Sequence, residues 1–196
     1  MRSRAAAALL TTSGFEKAYT MQGGISAWEG LVAHGSPEAG TAYFDDAVTP
    51  QELAHLAWLL EDGSRLFYVR LDEFLRDDDA KRLFLELAKA EVSHEQTVAE
   101  LYKSFSGGRS VEADLHSGRD DIMEGGIKVD EALLWARGKD LTDILEFSLS
   151  LEANAYDAYI RMERKLEGDA KKVFLLLAEE ELKHLERLAA LLDKKV

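Results

Sequence analysis

Two stretches of this chain repeat each other, and the repeat limits its fold more than any other feature. Leu60-Glu61 … Tyr68-Val69-Arg70 recurs as Leu151-Glu152 … Tyr159-Ile160-Arg161. Ala80-Lys81-Arg82-Leu83-Phe84-Leu85 recurs as Ala170-Lys171-Lys172-Val173-Phe174-Leu175, and a single one-residue gap carries the match through Leu101 and Leu191. Each copy has helical periodicity, and the apolar pattern predicts four long helices, at about 50–76, 79–105, 139–166 and 169–194. Thr49-Pro50-Gln51-Glu52 is a capping box with proline at the first helical position. Asp77-Asp78-Asp79 breaks the first pair of helices and Gly168-Asp169 the second, so each pair is expected to form an antiparallel hairpin. The long connection 106–138 contains Gly107-Gly108 and Gly125-Gly126, with one short helix near Val129–Arg137. The expected fold is all-α: a four-helix bundle with one long crossover between helices two and three and a pseudo-two-fold axis relating the hairpins.

The inward stripes of these helices contain residues that do not belong in an apolar core. Helix two reads Phe84, Leu87, Glu91, His94, Val98, Leu101, Phe105, and helix four reads Phe174, Leu177, Glu181, His184, Leu188, Leu191. Helix one gives Ala57, Glu61, Ser64, Tyr68, Leu71, Leu75, and helix three gives Ser148, Glu152, Ala155, Tyr159, Met162, Leu166. Each is a bundle seam interrupted in its middle by carboxylate or imidazole. The small seam neighbours of Glu61 and Glu152 leave room for something the side chains do not supply.

Four carboxylates in a bundle core cannot stay bare, because each buried charge costs several kcal/mol and like charges add to that. No seam brings a lysine to their level. Two divalent cations would neutralise them and use both imidazoles, and Glu-x-x-His sets its two ligands one turn apart on one helix face. The candidate metal ligands are therefore Glu61, Glu91, His94, Glu152, Glu181 and His184. Such a donor set suits iron or manganese, with zinc as a substitute. Tyr68 and Tyr159, seven residues after the lone glutamates on the same face, are candidates for hydrogen bonds to the ligands, with plain core packing as the alternative. His34, His55 and His116 have no repeat partner and are expected at the surface or in linkers. Glu86, Glu95, Glu100, Glu179 and Glu180 fall off the seams and are expected on a solvated face.

Composition narrows the remaining choices. Among 196 residues there is no cysteine, which excludes disulfides, thiolate nucleophiles and thiolate-held metals, and fits a reducing cytoplasm. A net charge of −13 argues against nucleic acid as a partner, and no apolar run approaches the roughly 20 residues that span a bilayer.

These residues resemble the rubrerythrin branch of the ferritin-like superfamily, over about 49–194. The resemblance implies a di-iron site in which Glu61 and Glu152 are terminal ligands, Glu91 and Glu181 bridge, and His94 and His184 each cap one iron. It further implies redox cycling that reduces hydrogen peroxide or dioxygen, a small-molecule oxidant as substrate, and an external electron-transfer protein as donor. The chain departs from rubrerythrin in having no four-cysteine rubredoxin-like domain, and in carrying Ala155 where rubrerythrin has an additional glutamate. The symmetric ligand set equally resembles the ferroxidase centre of bacterioferritin, so iron oxidation and storage, or a metal-binding module without turnover, are the alternative readings.

Residues 1–40 differ in texture from the domain at 41–196. Met1-Arg2-Ser3-Arg4-Ala5-Ala6 and Tyr19-Thr20-Met21-Gln22-Gly23-Gly24-Ile25-Ser26-Ala27-Trp28 resemble the C-terminal end of a rhodanese domain, a small α/β remnant joined by a Gly35-Ser36-Pro37 linker. The resemblance implies that the rhodanese cysteine would lie upstream of Met1 and that this chain does not transfer sulfur by itself. A homodimer is expected, with the remnant available for dimer contacts.

Overall fold

The computed structural model describes residues 49–114 and 122–196; the rhodanese-like segment, His34 and His116 lie outside them. Among the described residues five α-helices follow in order: α1 Pro50–Leu71, α2 Asp78–Phe105, α3 Val129–Ala136, α4 Leu141–Lys165 and α5 Gly168–Lys195. Thr49 caps α1 in a full capping box, and the side chains of Asp77 and Asp140 cap α2 and α4. The first helix ends five residues earlier than its periodicity suggested. Turn residues follow Leu71, and the seam residue Leu75 is buried from outside the helix.

Each hairpin is antiparallel. In the first, Gln51 reaches Tyr102 while Arg65 reaches Glu95; in the second, His184 meets Glu152 while Lys171 meets Glu163. The hairpins meet with α2 running antiparallel to α5, since Arg187 pairs with Glu86 and Lys195 with Asp77 at 2.8 Å. Across the other side, Tyr68 of α1 reaches Glu152 of α4 and Tyr159 of α4 reaches Glu61 of α1.

The buried seams are those read from the sequence, except that Phe105, in the last turn of α2, is exposed. The four long helices share two apolar clusters. One contains Ala57, Val98, Tyr159 and Phe174; the other contains Tyr68, Phe84, Leu87, Leu151 and Leu188. The carboxylates and imidazoles form a polar layer between these halves. Among the described residues, no helix is long and apolar enough to cross a membrane.

The connection between the hairpins contains more structure than the one short helix expected. Before α3 lies a two-stranded antiparallel pair, β1 Ile122–Met123 and β2 Ile127–Lys128, joined by the 3-10 turn Glu124–Gly126. Gly125 and Gly126 both take positive φ, which glycine adopts at little cost. This ribbon rests on α1 and α4.

Candidate metal centre

All six predicted ligands converge. Glu61, Glu91, His94, Glu152, Glu181 and His184 are each at most 4% exposed, so the layer is sealed from bulk water. The Nδ1 of His94 lies 2.9 Å from Glu91, 3.1 Å from Glu61 and 3.2 Å from Glu181. The Nδ1 of His184 lies 3.2 Å from Glu152, 3.3 Å from Glu181 and 3.5 Å from Glu91. The two imidazoles stack with centroids 5.4 Å apart. Glu91 and Glu181 thus approach both histidines, whereas Glu61 and Glu152 each approach one. Two overlapping donor groups result, Glu61–Glu91–His94–Glu181 and Glu91–Glu152–His184, with Glu91 common to both.

The protein's own hydrogen bonds do not satisfy this layer. Both carboxylate oxygens of Glu91 and one of Glu181 are buried without a hydrogen-bond partner, as is the hydroxyl of Ser64. Native interiors rarely leave such groups bare. Carboxylate and imidazole donors around orphaned oxygens are what a hard or borderline divalent cation requires, so the residues fit a metal ion.

The electrostatics divide the acids into two kinds. Burial opposes charge on all four. For Glu152, hydrogen bonds from Glu181, His184 and Tyr68 outweigh burial and hold its carboxyl down to about 2. Glu61 is likewise lowered, its burial outweighed by the charge and hydrogen bond of His94. Burial and the charge of Glu152 push Glu181 up to about 8. Burial and the charges of Glu181 and Glu61 raise Glu91 well above the carboxylate range. Burial lowers the histidines, but the carboxylates around them win, pushing His184 up to about 11 and His94 higher still. Without metal, then, protons on the two central acids and on the imidazoles balance the layer.

The tyrosines do more than fill space. Each hydroxyl donates to the lone glutamate of the opposite hairpin, Tyr68 to Glu152 and Tyr159 to Glu61. Burial, followed by the charge of the carboxylate it serves, keeps each phenol protonated as a donor.

Three features differ from the sequence expectations. Glu95 is not on a solvated face: it accepts from Arg65 Nε at 2.6 Å, and Arg65 also holds the buried Asp62 beside Glu61. His55 is half-buried against the Tyr102 ring, 5.9 Å between centroids. The third is Glu124, which sequence reasoning missed. It is 5% exposed, and burial raises its carboxyl, followed by the charges of Glu61, Glu91, Glu181 and Glu152. Its local signal was an acid between apolar residues and a glycine pair, Ile122-Met123-Glu124-Gly125-Gly126-Ile127, which reads as a turn. Without a repeat partner, nothing in the sequence aimed it at the centre.

A helical chain with a buried Glu/His layer of this kind is consistent with a ferritin-like metalloprotein. Residues 143–195 match the rubrerythrin family model, which supports the rubrerythrin branch of that class. The match spans α4 and α5 and includes Glu152, Glu181 and His184. The first hairpin lies outside it and is tied to it by the internal repeat. No curated protein matches the chain.

Proposed function

We propose that this chain is a ferritin-like di-iron protein that reduces hydrogen peroxide or dioxygen with electrons from a separate carrier protein. The single observation that carries the reading is the pair of shared acids: Glu91 and Glu181 each lie within 3.5 Å of both imidazoles and retain orphaned oxygens. In this reading Glu91 and Glu181 would be shared between two ions, while Glu61 with His94 and Glu152 with His184 would each help hold one. Bound there, the iron pair would supply Lewis acidity and a two-electron store.

The remaining chemistry belongs to the chain's own side chains. Tyr68 and Tyr159 fix the rotamers of Glu152 and Glu61, so each terminal ligand is positioned from the opposite hairpin. Burial on both sides of the layer excludes bulk water, which restricts access to small oxidants. These 196 residues contain no cysteine, so they hold no thiolate-bound relay, and the reading assigns the electrons to a separate donor.

Stopped-flow mixing of anaerobically iron-loaded, reduced protein with peroxide or with dioxygen tests this proposal. Faster oxidation by peroxide, at two irons per chain and with repeated turnover once a reductant is supplied, is the expected result. Fast dioxygen oxidation with iron accumulating beyond two per chain would instead indicate an iron-storage protein. Stable binding without turnover would leave a metal-binding module.

A further inference from the structure

The ribbon between the hairpins crosses the pseudo-two-fold axis at equivalent positions. The repeat aligns Gly63 of α1 with Asn154 of α4, each two residues after its lone glutamate. A Cβ on Gly63 would lie 2.0 Å from the Ile122 carbonyl oxygen and 3.0 Å from the Met123 Cα, so only glycine admits β1 there. A Cβ on Gly125 would lie 2.8 Å from the Asn154 side-chain nitrogen, and Gly125 has φ +81°. Glu124 sits between these two close approaches, clamped on one side by α1 and on the other by α4.

That places it over the side of the metal layer formed by α1 and α4. The opposite side, α2 and α5, supplies both histidines and both shared acids. On the α1–α4 side the residues one turn after the terminal acids are small, Ser64 and Ala155, and the Ser64 hydroxyl is buried without a partner. A buried fifth acid in this opening, felt by all four other carboxylates and by both tyrosines, destabilises the metal-free fold.

Building on the dinuclear reading above, we propose that Glu124 is a fifth carboxylate ligand of the centre, delivered from the crossover onto the face that the helix-borne ligands leave open. It stands outside both tight donor groups of the metal-free fold. Its ligation would therefore require the carboxylates to draw together around bound cations, within the reach that the ribbon allows.

Titration of the metal-free protein with cobalt(II), whose visible absorption reports its ligands, tests the proposal without turnover. Wild type is expected to take up two ions per chain. Glu124→Gln is expected to bind at least one of them about 10- to 100-fold more weakly and with a shifted visible band. The same variant is expected to melt higher than wild type when metal-free, because a buried acid is gone; a merely structural residue would melt lower. Glu112→Gln, an exposed acid of the same connection, should match wild type in all three readouts. If Glu124→Gln proves insoluble, Glu124→Asp reads the point: a shifted band at unchanged stoichiometry supports ligation and an identical band overturns it. Wild-type cobalt affinity and spectrum in Glu124→Gln would overturn this proposal alone. Failure of wild type to bind cobalt would overturn the dinuclear reading and this proposal with it.

Discussion

The two hairpins present the same candidate ligands in the same register and support them differently. In the first, Glu61 is followed by Asp62, Gly63, Ser64 and Arg65, and Arg65 ties Asp62 to Glu95 across to α2. In the second, the equivalent positions are Ala153, Asn154, Ala155, Tyr156 and Leu185, which cannot form that ionic trio. The shared features touch the centre: the Glu-x-x-His pair, the lone glutamate, and the tyrosine that reaches across to the other hairpin. Ser64 and Ala155 differ on the inward seam itself, while Gly63 and Asn154 meet the crossover. The proposed dinuclear centre draws on donors related by the repeat, but a single connection must break that symmetry wherever it packs.

The largest expected effect falls on the shared features. Replacing both central acids, Glu91→Ala with Glu181→Ala, should abolish tight binding of both ions rather than one, as read by anaerobic ferrous titration. Full iron occupancy in the double variant would refute the bridging roles.

Gly63 and Asn154 are equivalent in the repeat, and their substitutions should be unequal. Gly63→Ala drives a Cβ into the Ile122 carbonyl and should cost about 3 kcal/mol by denaturant unfolding, in the upper range of overpacking. Asn154→Ala only removes atoms that touch the ribbon at Gly125 and should cost under about 1 kcal/mol. Equal costs would mean that the ribbon is not anchored as described.

The ionic trio sharpens the contrast. Arg65→Ala leaves the buried Asp62 without its guanidinium and should cost about 2 kcal/mol. Tyr156→Phe, at the matching position, should change stability by less than about 0.5 kcal/mol.

The pH dependence of the metal-free protein tests the symmetric layer. Glu181 is raised from 4.5 to about 8 on folding, so its stabilising contribution is complete below about pH 4.5 and is lost as pH rises through 8. His184, raised from 6.5 to about 11, adds stability that is likewise lost as pH climbs. Glu152 has the opposite sign: its contribution is present above about 4.5 and is lost as pH falls toward 2. The metal-free melting temperature should therefore fall between about pH 5.5 and 8.5. Metal affinity should rise over the same interval, because binding displaces those protons. A metal-free protein that gains stability over that interval would contradict the proton balance described for the layer.

Much of the fold and the centre was legible because a helix seam is a strict pattern. Glu91 and His94 stood out against Leu87 and Val98, and the second hairpin repeated the anomaly at Glu181 and His184. The tyrosine bonds were visible only as a spacing; that each crosses to the other hairpin needed the antiparallel packing of α1 on α4. In the crossover only the short helix was legible, because a ribbon of two-residue strands has no period to read. Nothing in the sequence marks Gly63, since the reason for its missing side chain is a carbonyl some sixty residues away. Glu95 was expected on a solvated face, and only the fold shows Arg65 tying it to Asp62. Glu124 needed all of these at once: its burial follows from where the ribbon lies, which follows from Gly63.

A crystal structure of the ferrous-loaded protein with anomalous scattering recorded at the iron edge tests the central claim most directly. The account expects two peaks per chain, about 3.5–4 Å apart as in two-metal sites, with Glu91 and Glu181 spanning both and one histidine on each. A single peak, or iron held only by exposed acids outside the layer, would contradict it.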